Sequence, residues 1–184
     1  MDAIIDITGQ HIETPRLILR PWRESDLADF NHYASVEGVG EMAGWPHHTS
    51  LEESKRILDI FIEGKCTLAL EHRGDGRVIG SVGLHRSWFC DTEVGASLRV
   101  KEIGYAMAKD YWGWGLMPEA VNVVIAHCFE KDNLDAVTCE HFVENNQSRR
   151  VIEKCGFSYI QRGVFEATQM DKLFDTLRYV RYRT

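Results

Sequence analysis

No stretch of this sequence is long and apolar enough to cross a membrane, and no motif marks a metal site or a disulfide framework. Its apolar runs fall well short of the roughly 18 residues that a membrane span needs. The five cysteines are an odd number without a C-x-x-C pair, which favours reduced thiols and a cytoplasmic protein. The eight histidines show no metal-ligand spacing, so we predict no metal.

The sequence also lacks internal repeats, low-complexity tracts and any linker rich in proline, glycine or serine. Its first ten residues include Asp2 and Asp6 but no basic segment ahead of a hydrophobic stretch, so we expect no signal peptide. A chain of 184 residues is long enough to bury a core of its own. These absences predict a single domain over residues 1–184 with no membrane partner.

Positive charge is in the minority, because 21 Lys and Arg residues face 28 Asp and Glu residues, for a formal net charge of −7. A negative field repels phosphate backbones, so we expect no nucleic-acid partner. The same field favours a cationic ligand such as a protonated amine. A mildly acidic composition also serves solubility, and this second interpretation carries more weight.

What the sequence does contain is an alternation of strand-like and helix-like segments. Alternating and β-branched stretches predict strands over residues 13–21, 66–71, 77–85, 100–108, 134–143, 157–166 and 176–183. Capping residues and apolar periodicity predict helices over residues 28–34, 50–62, 118–129 and 147–154. This order predicts a mixed α/β sheet with helices on its faces.

The segment EIGYAMAKDYWGWGLMPEA, over residues 102–120, is the most informative part of the sequence. It predicts a strand, a tight loop that contains Gly113 and Gly115, and the start of a helix. Glycine lets the backbone turn sharply, and a helix N-terminus offers free N–H groups and a partial positive charge. Together they predict an anion site for a phosphate or pyrophosphate, although two glycines before a helix are more often only a turn.

This segment resembles the acetyl-CoA-binding motif of the GNAT superfamily of N-acetyltransferases, [Q/R]-x-x-G-x-[G/A], and is most similar to the RimJ/RimL-type branch. Trp112 occupies the Gln/Arg position and Met117 the final small position. Residues 13–30 (ETPRLILRPWRESDLADF) and 145–157 (NNQSRRVIEKCGF) resemble the same branch. The resemblance implies a GNAT fold, with a mixed, mostly antiparallel sheet of about seven strands, splayed between the fourth and fifth, and about four flanking helices.

The resemblance further implies acetyl-CoA as co-substrate. Main-chain groups of Tyr105, Ala106 and Met107 would pair with the pantetheine arm, and the Met107 N–H would polarise the acetyl carbonyl. Asn145 would contact the cofactor and Ser148 would lie near the thioester sulfur, although Asn or Ser after a strand is also an ordinary helix cap. The pyrophosphate would be held by main-chain N–H groups of the loop residues Trp112, Gly113, Trp114, Gly115, Leu116 and Met117.

Our mechanistic hypothesis is direct attack of a neutral amine on the thioester while both substrates are bound. The tyrosine acid of many GNAT enzymes would fall at Ile152, so we assign protonation of the departing thiolate to Ser148. Glu102 is the first candidate for the base, and an exposed strand-end carboxylate is an equally good interpretation of it. His85, His141 and ordered water are the alternatives.

The acceptor stays open between a protein N-terminus, as in ribosomal-protein acetyltransferases, and a small amine such as a polyamine or an aminoglycoside. Trp45, within residues 38–48, borders the acceptor site by resemblance to the branch, or else covers the core. His85 and His141 would contact the substrate, or only pack within strands. The alternative function is a non-catalytic acyl-CoA-binding sensor, and the predicted assembly is a monomer or a homodimer.

Overall fold

Strands and helices alternate along the computed structural model, which describes residues 1–184. The eight strands are β1 (Ile12–Glu13), β2 (Leu17–Pro21), β3 (Thr67–His72), β4 (Arg77–His85), β5 (Val100–Met107), β6 (Ala136–Phe142), β7 (Ser158–Ala167) and β8 (Lys172–Tyr182). The four helices are α1 (Leu27–Ala34), α2 (Leu51–Gly64), α3 (Leu116–Glu130) and α4 (Asn146–Lys154). None of the helices combines the length and the apolar character that crossing a bilayer requires.

All eight strands form one sheet in the order β1-β2-β3-β4-β5-β6-β8-β7. Every neighbouring pair is antiparallel except β5 and β6, which are parallel. The β3–β4 hairpin turns at residues 73–76, as the Gly-Asp-Gly sequence predicts. The mixed, mostly antiparallel α/β sheet predicted from the sequence is therefore confirmed.

The first predicted strand, over residues 13–21, is two strands, so the sheet has eight strands rather than seven. Thr14 N–H donates to the Leu17 carbonyl (2.9 Å), and Leu17 N–H donates to Thr14 Oγ1 (2.8 Å), which closes a turn. Pro15, inside this turn, has no N–H to offer a neighbouring strand. Ile12 consequently folds back to pair with Leu19.

Strands β5 and β6 separate soon after they meet, and this splay positions the site. Their parallel pairing covers only Val100–Glu102 against Ala136–Thr138, although both strands continue beyond it. On its other side β5 pairs with β4 along residues 102–107. The predicted opening between the fourth and fifth strands, residues 100–108 and 134–143, is confirmed. We call this opening the gap.

Helices cover both faces of the sheet and bury two separate cores. Val124 of α3 and Ile152 of α4 belong to the larger core, and Phe30 of α1 and Leu58 of α2 belong to the smaller one, with Ala69 of β3. Each fully buried side chain of this size stabilises the fold by about 1.5–3 kcal/mol. The gap thus opens between a layer of α3 and α4 on one face and a layer of α1 and α2 on the other.

Candidate active site

A tight loop after β5 leads into the N-terminus of α3, at the open end of the gap. Gly113 (φ +82°) and Gly115 (φ +76°) hold left-handed backbone conformations that other residues adopt only at a cost. The loop turns the first amides of α3, at Leu116 and Met117, outward without an intrahelical partner, whereas Pro118 has no N–H. This arrangement forms a cradle of N–H groups at the positive end of a helix dipole.

Arg16, in the turn between β1 and β2, holds the cradle in place. Its Nη1 donates to the Trp114 carbonyl (2.8 Å), and its Nη2 lies 2.7 Å from Glu119 Oε2 in the first turn of α3. Glu119 also accepts a hydrogen bond from Thr14 Oγ1 (2.6 Å). The sequence pattern predicts only a strand at Arg16, because the residues that Arg16 joins lie 98 and 103 positions away.

The side chains of the loop are directed away from the cradle. The Trp114 ring is 57% exposed and packs edge-on to His72. Trp112 Nε1 donates to the Met107 carbonyl (2.7 Å), which closes the end of β5 onto the loop. Leu116 and Met117 are buried in the larger core, so methionine in place of a small residue does not fill the cradle. The loop therefore presents its backbone.

The edge of β5 that faces the gap carries the main chain of alternate residues. Ala108 N–H donates to the Ile79 carbonyl of β4 (2.8 Å). Hydrogen-bonded and non-hydrogen-bonded pairs alternate along an antiparallel ladder. Ala106 therefore also directs its main-chain groups at β4, while those of Tyr105 and Met107 point to the gap. Two of the three strand residues expected to pair with pantetheine are thus directed at the gap, and Ala106 is directed at β4.

Ser148 and Asn145 organise the first turn of α4. Asn145 Oδ1 accepts from Ser148 N–H (3.0 Å), and Asn145 Nδ2 donates to the Met42 carbonyl (3.1 Å), which ties α4 to the segment before α2. Asn145 is therefore the helix cap. Ser148 Oγ lies 2.8 Å from the Tyr105 hydroxyl, and Ile152, where the tyrosine of related enzymes is expected, is buried in the core.

The side chain of Tyr105 is a candidate functional group that the sequence pattern did not reveal. Its hydroxyl contacts both Ser148 Oγ and the Ser148 carbonyl (3.2 Å), and burial raises its pKa well above the usual value, so it stays protonated. The resemblance drew attention to its main chain alone. One signal in the sequence could have indicated its position. Tyr105 lies three residues after Glu102, and an odd spacing places the two side chains on opposite faces of β5.

Glu102 lies at the closed end of the gap. Its Oε2 accepts from Thr138 Oγ1 (3.2 Å). Burial, and then the charge of Glu140, raise the pKa of Glu102 to about 8. The carboxylate of Glu140 is itself hydrogen-bonded, because its Oε2 accepts from Thr176 Oγ1 (2.9 Å) and from Arg178 Nε (3.0 Å). Glu102 is thus a carboxylic acid at neutral pH that becomes a base in mildly alkaline solution.

His85 is the register partner of Glu102 across β4 and β5. Its ring lies over Gly83 and Gly104, where added Cβ atoms would come within 2.4 Å and 3.2 Å of the imidazole. The side chain is exposed to the cavity, yet surrounding protein atoms desolvate the ring, and this effect, followed by the charge of Lys101, lowers its pKa. His85 is therefore a neutral imidazole beside Glu102.

His141 is part of the protein interior. Its Nδ1 donates to the Phe142 carbonyl (2.7 Å), and its Nε2 hydrogen-bonds with the Tyr179 hydroxyl (3.1 Å). The ring is buried and stacks on that of Tyr179. Neither nitrogen is left for a substrate.

All five cysteines are free thiols, and no group of three or more His, Cys, Asp or Glu side chains converges to hold a metal.

One cavity of about 920 Å³ joins these parts. It is lined by the cradle, by the gap with Tyr105 and Ser148, and by Glu102, and it continues under α1 and α2. Trp45 lines this far part, with its ring against Gly40 and tilted on His48. The cavity therefore passes through the sheet, from the α3–α4 face to the α1–α2 face.

The comparisons agree with this geometry. A family model described as "Acetyltransferase (GNAT) domain" matches residues 16–158. The uncharacterized N-acetyltransferase YoaA of Bacillus subtilis (strain 168) is 25% identical over 151 residues, which cover 79% of this chain and 81% of that protein. Two solved structures share the fold.

One is an acetyltransferase (GNAT family) from Bacillus anthracis, with a TM-score of 0.80 and 19% identity, and the match covers 94% of this chain and 98% of that chain. The other is spermidine N-acetyltransferase from Vibrio cholerae in complex with CoA and spermine, with a TM-score of 0.72 and 19% identity, and the match covers 92% of this chain and 96% of that chain.

Proposed function

This chain belongs to the acetyltransferase (GNAT) domain family, and on that basis we propose that it transfers the acetyl group of acetyl-CoA to a primary amine. The observation that carries the proposal is the continuous cavity from the α3 cradle through the gap to Glu102. An anion at one end and an amine at the other can meet only inside the gap. The path of the cavity through the sheet therefore supports the reaction class that the family indicates.

The residues present fit acetyl-CoA, which supplies an activated acetyl thioester. The cradle amides of residues 113–117 suit a pyrophosphate, and Arg150 and Lys154 add positive charge to the same cavity. Main-chain groups of Tyr105 and the N–H of Met107 border the gap where no neighbouring strand pairs with β5, which suits the amides of a pantetheine arm. Because the Met107 N–H points into the gap, we assign to it the polarisation of the acetyl carbonyl.

We assign the two proton transfers to opposite faces of the sheet. Ser148, hydrogen-bonded to Tyr105, would donate a proton to the departing sulfur on the α4 face. Glu102 would accept the proton of the attacking amine on the other face, where His85 is the neighbouring alternative. Their separation keeps the donor and the acceptor of protons from neutralising each other directly.

Calorimetry with CoA and a thiol-release assay with acetyl-CoA test the proposal together. We expect CoA to release heat on binding, and a primary amine to stimulate thiol release. Binding without amine-stimulated release would assign the alternative function, a non-catalytic acyl-CoA sensor. Absence of CoA binding to folded protein would remove both functions.

A further inference from the structure

The part of the cavity beyond Glu102 has a floor of bare backbone. Gly83 of β4 and Gly104 of β5 are register partners, and Ser81 faces Ala106 one pair further along the same face. Small residues at these positions leave room above the sheet, and the ring of His85 occupies part of it. We call this space the acceptor chamber; it is bounded by β4 and β5 below and by α2 above.

A large part of the wall of the acceptor chamber is apolar. Six side chains from three separate segments line it: Met42, Trp45, Ile57, Ile60, Phe61 and Phe165. Ile60 is 55% exposed and Met42 41% exposed, so the fold itself does not cover them. Exposed apolar side chains from several segments that converge on one concavity mark a binding site for apolar groups.

The roof over these walls is anchored to the rest of the site. An added Cβ at Gly44 would lie 2.5 Å from the Phe165 ring, so the β7–β8 hairpin packs directly on the turn that carries Met42 and Trp45. The Met42 carbonyl accepts from Asn145 at the start of α4. The apolar walls are therefore held in place relative to the gap.

The acceptor chamber offers at most one free carboxylate to a polycation. Glu102 and Glu140 are the carboxylates that line the cavity. Glu140 is bound to Arg178 and Thr176, and Glu102, whose pKa is raised to about 8, gains its negative charge mainly in alkaline solution. The negative net charge of the chain is thus not concentrated where the acceptor binds.

We infer that the acceptor is a primary amine carried on an apolar, aromatic body, which lies between the apolar walls with its nitrogen directed at the gap. The inference rests on the proposed acetyl transfer and specifies its substrate class. Desolvation among apolar side chains favours the neutral form of an amine, which is the form that attacks a thioester. A free arylalkylamine and the N-terminal residue of a peptide share this chemistry.

The first test compares acceptors by thiol release from acetyl-CoA. We expect 2-phenylethylamine and tryptamine to exceed spermine in kcat/KM by about tenfold or more. A peptide that begins with Phe, compared with one that begins with Ser, separates the peptide source from the free amine. Higher activity with spermine, or with the Ser peptide, than with every aromatic amine overturns the inference.

The second test measures binding without turnover. Calorimetry titrates 2-phenylethylamine into the free protein and into protein saturated with CoA. Heat that spermine does not produce supports the inference even if no amine stimulates thiol release, in which case only the proposed function fails. No heat in either titration overturns the inference.

The third test changes one wall residue. Ile60→Asp places a charge in the acceptor chamber, and Ile4→Asp is its matched control, because Ile4 is 95% exposed and does not line the cavity. We expect Ile60→Asp to raise KM for 2-phenylethylamine about tenfold or more while CoA affinity stays unchanged. Equal kinetics for the two variants would contradict an apolar acceptor chamber.

Discussion

The hydroxyl of Tyr105 lies 2.8 Å from Ser148 Oγ, across the side of the gap where α4 packs on β5. Ser148 is thereby connected to a buried phenol that burial keeps protonated, because its pKa is raised well above the usual value. A strand residue thus places a phenol beside Ser148. In the proposed reaction this pair would carry a proton to the gap.

Ser148→Ala should lower kcat with little effect on the KM for acetyl-CoA. Loss of a general acid typically costs about 10²–10⁴-fold in rate. Tyr105→Phe should cost less, about tenfold, because Ser148 keeps its own hydroxyl. Steady-state thiol release at saturating amine measures both effects. Unchanged kcat in Ser148→Ala would exclude this residue as the acid.

Glu102→Gln should remove the alkaline rise of the rate. Because the pKa of Glu102 is raised to about 8, its ionised, basic form accumulates only as the pH increases towards that value. We therefore expect kcat/KM of the unmodified chain to increase up to about pH 8, and Glu102→Gln to stay low throughout. Profiles of the two proteins with the same amine measure this. Identical profiles between pH 6 and 9 would leave His85 as the base.

Glu102→Gln should also stabilise the protein in alkaline solution. The folded pKa of about 8 exceeds the ordinary value of 4.5, so folding favours the protonated form, and stability falls as the pH rises from 4.5 to 8. Above pH 8 the variant should be more stable by about 5 kcal/mol, and below pH 4.5 the two should be equal. Urea unfolding checks this, with exposed Glu63→Gln as control. A constant difference at all pH values would contradict the assignment.

Gly113→Ala should weaken the binding of CoA, whereas Gly9→Ala should not. Both glycines have positive φ (+82° and +80°), and an added Cβ meets no atom within 4 Å at either position. Each substitution should therefore cost a similar free energy of folding, about 1 kcal/mol. Only Gly113 belongs to the cradle, so calorimetry should give a Kd for CoA about tenfold higher in that variant alone. Equal Kd values would remove the loop from the cofactor site.

Asp26→Asn should strongly destabilise the fold without involving the cavity. Arg20 donates to both carboxylate oxygens of Asp26 (2.8 and 2.9 Å) and to Glu71 (2.7 Å), and its side chain is only 7% exposed. Breaking a buried ion pair costs about 3–5 kcal/mol. Urea unfolding measures the loss, and Asp59→Asn, which breaks an exposed pair with Lys55, should cost less than about 1 kcal/mol. Similar losses in both variants would contradict a buried network.

The fold could be predicted because its signals are local. The sequence of residues 73–76 predicts a hairpin turn, which the structure has. Pro118 predicts the start of a helix, and it lies in the first turn of α3. The division of the first strand was missed, because the turn depends on the Thr14 hydroxyl bonding to Leu17 N–H, a side-chain contact that residue patterns do not specify. Asp26, immediately before α1, makes no side-chain capping bond to that helix, and its carboxylate binds Arg20 instead.

The cradle could be predicted because its chemistry lies in the backbone of one continuous segment. The contacts that define the other end of the site join residues distant in sequence. Glu102 and Thr138 are 36 positions apart, and Tyr105 and Ser148 are 43 apart. Burial raises the pKa of Glu102, and burial is a property of the folded chain. Side-chain identity could nominate these residues but not bring them together.

The short pairing of β5 with β6 also closes one end of the gap. The pairing ends at Glu102 and Thr138, whose side chains are hydrogen-bonded there. A group that enters the gap from the α3 end therefore cannot continue along the line of the strands beyond that junction. It can extend only through the sheet, into the part of the cavity under α1 and α2.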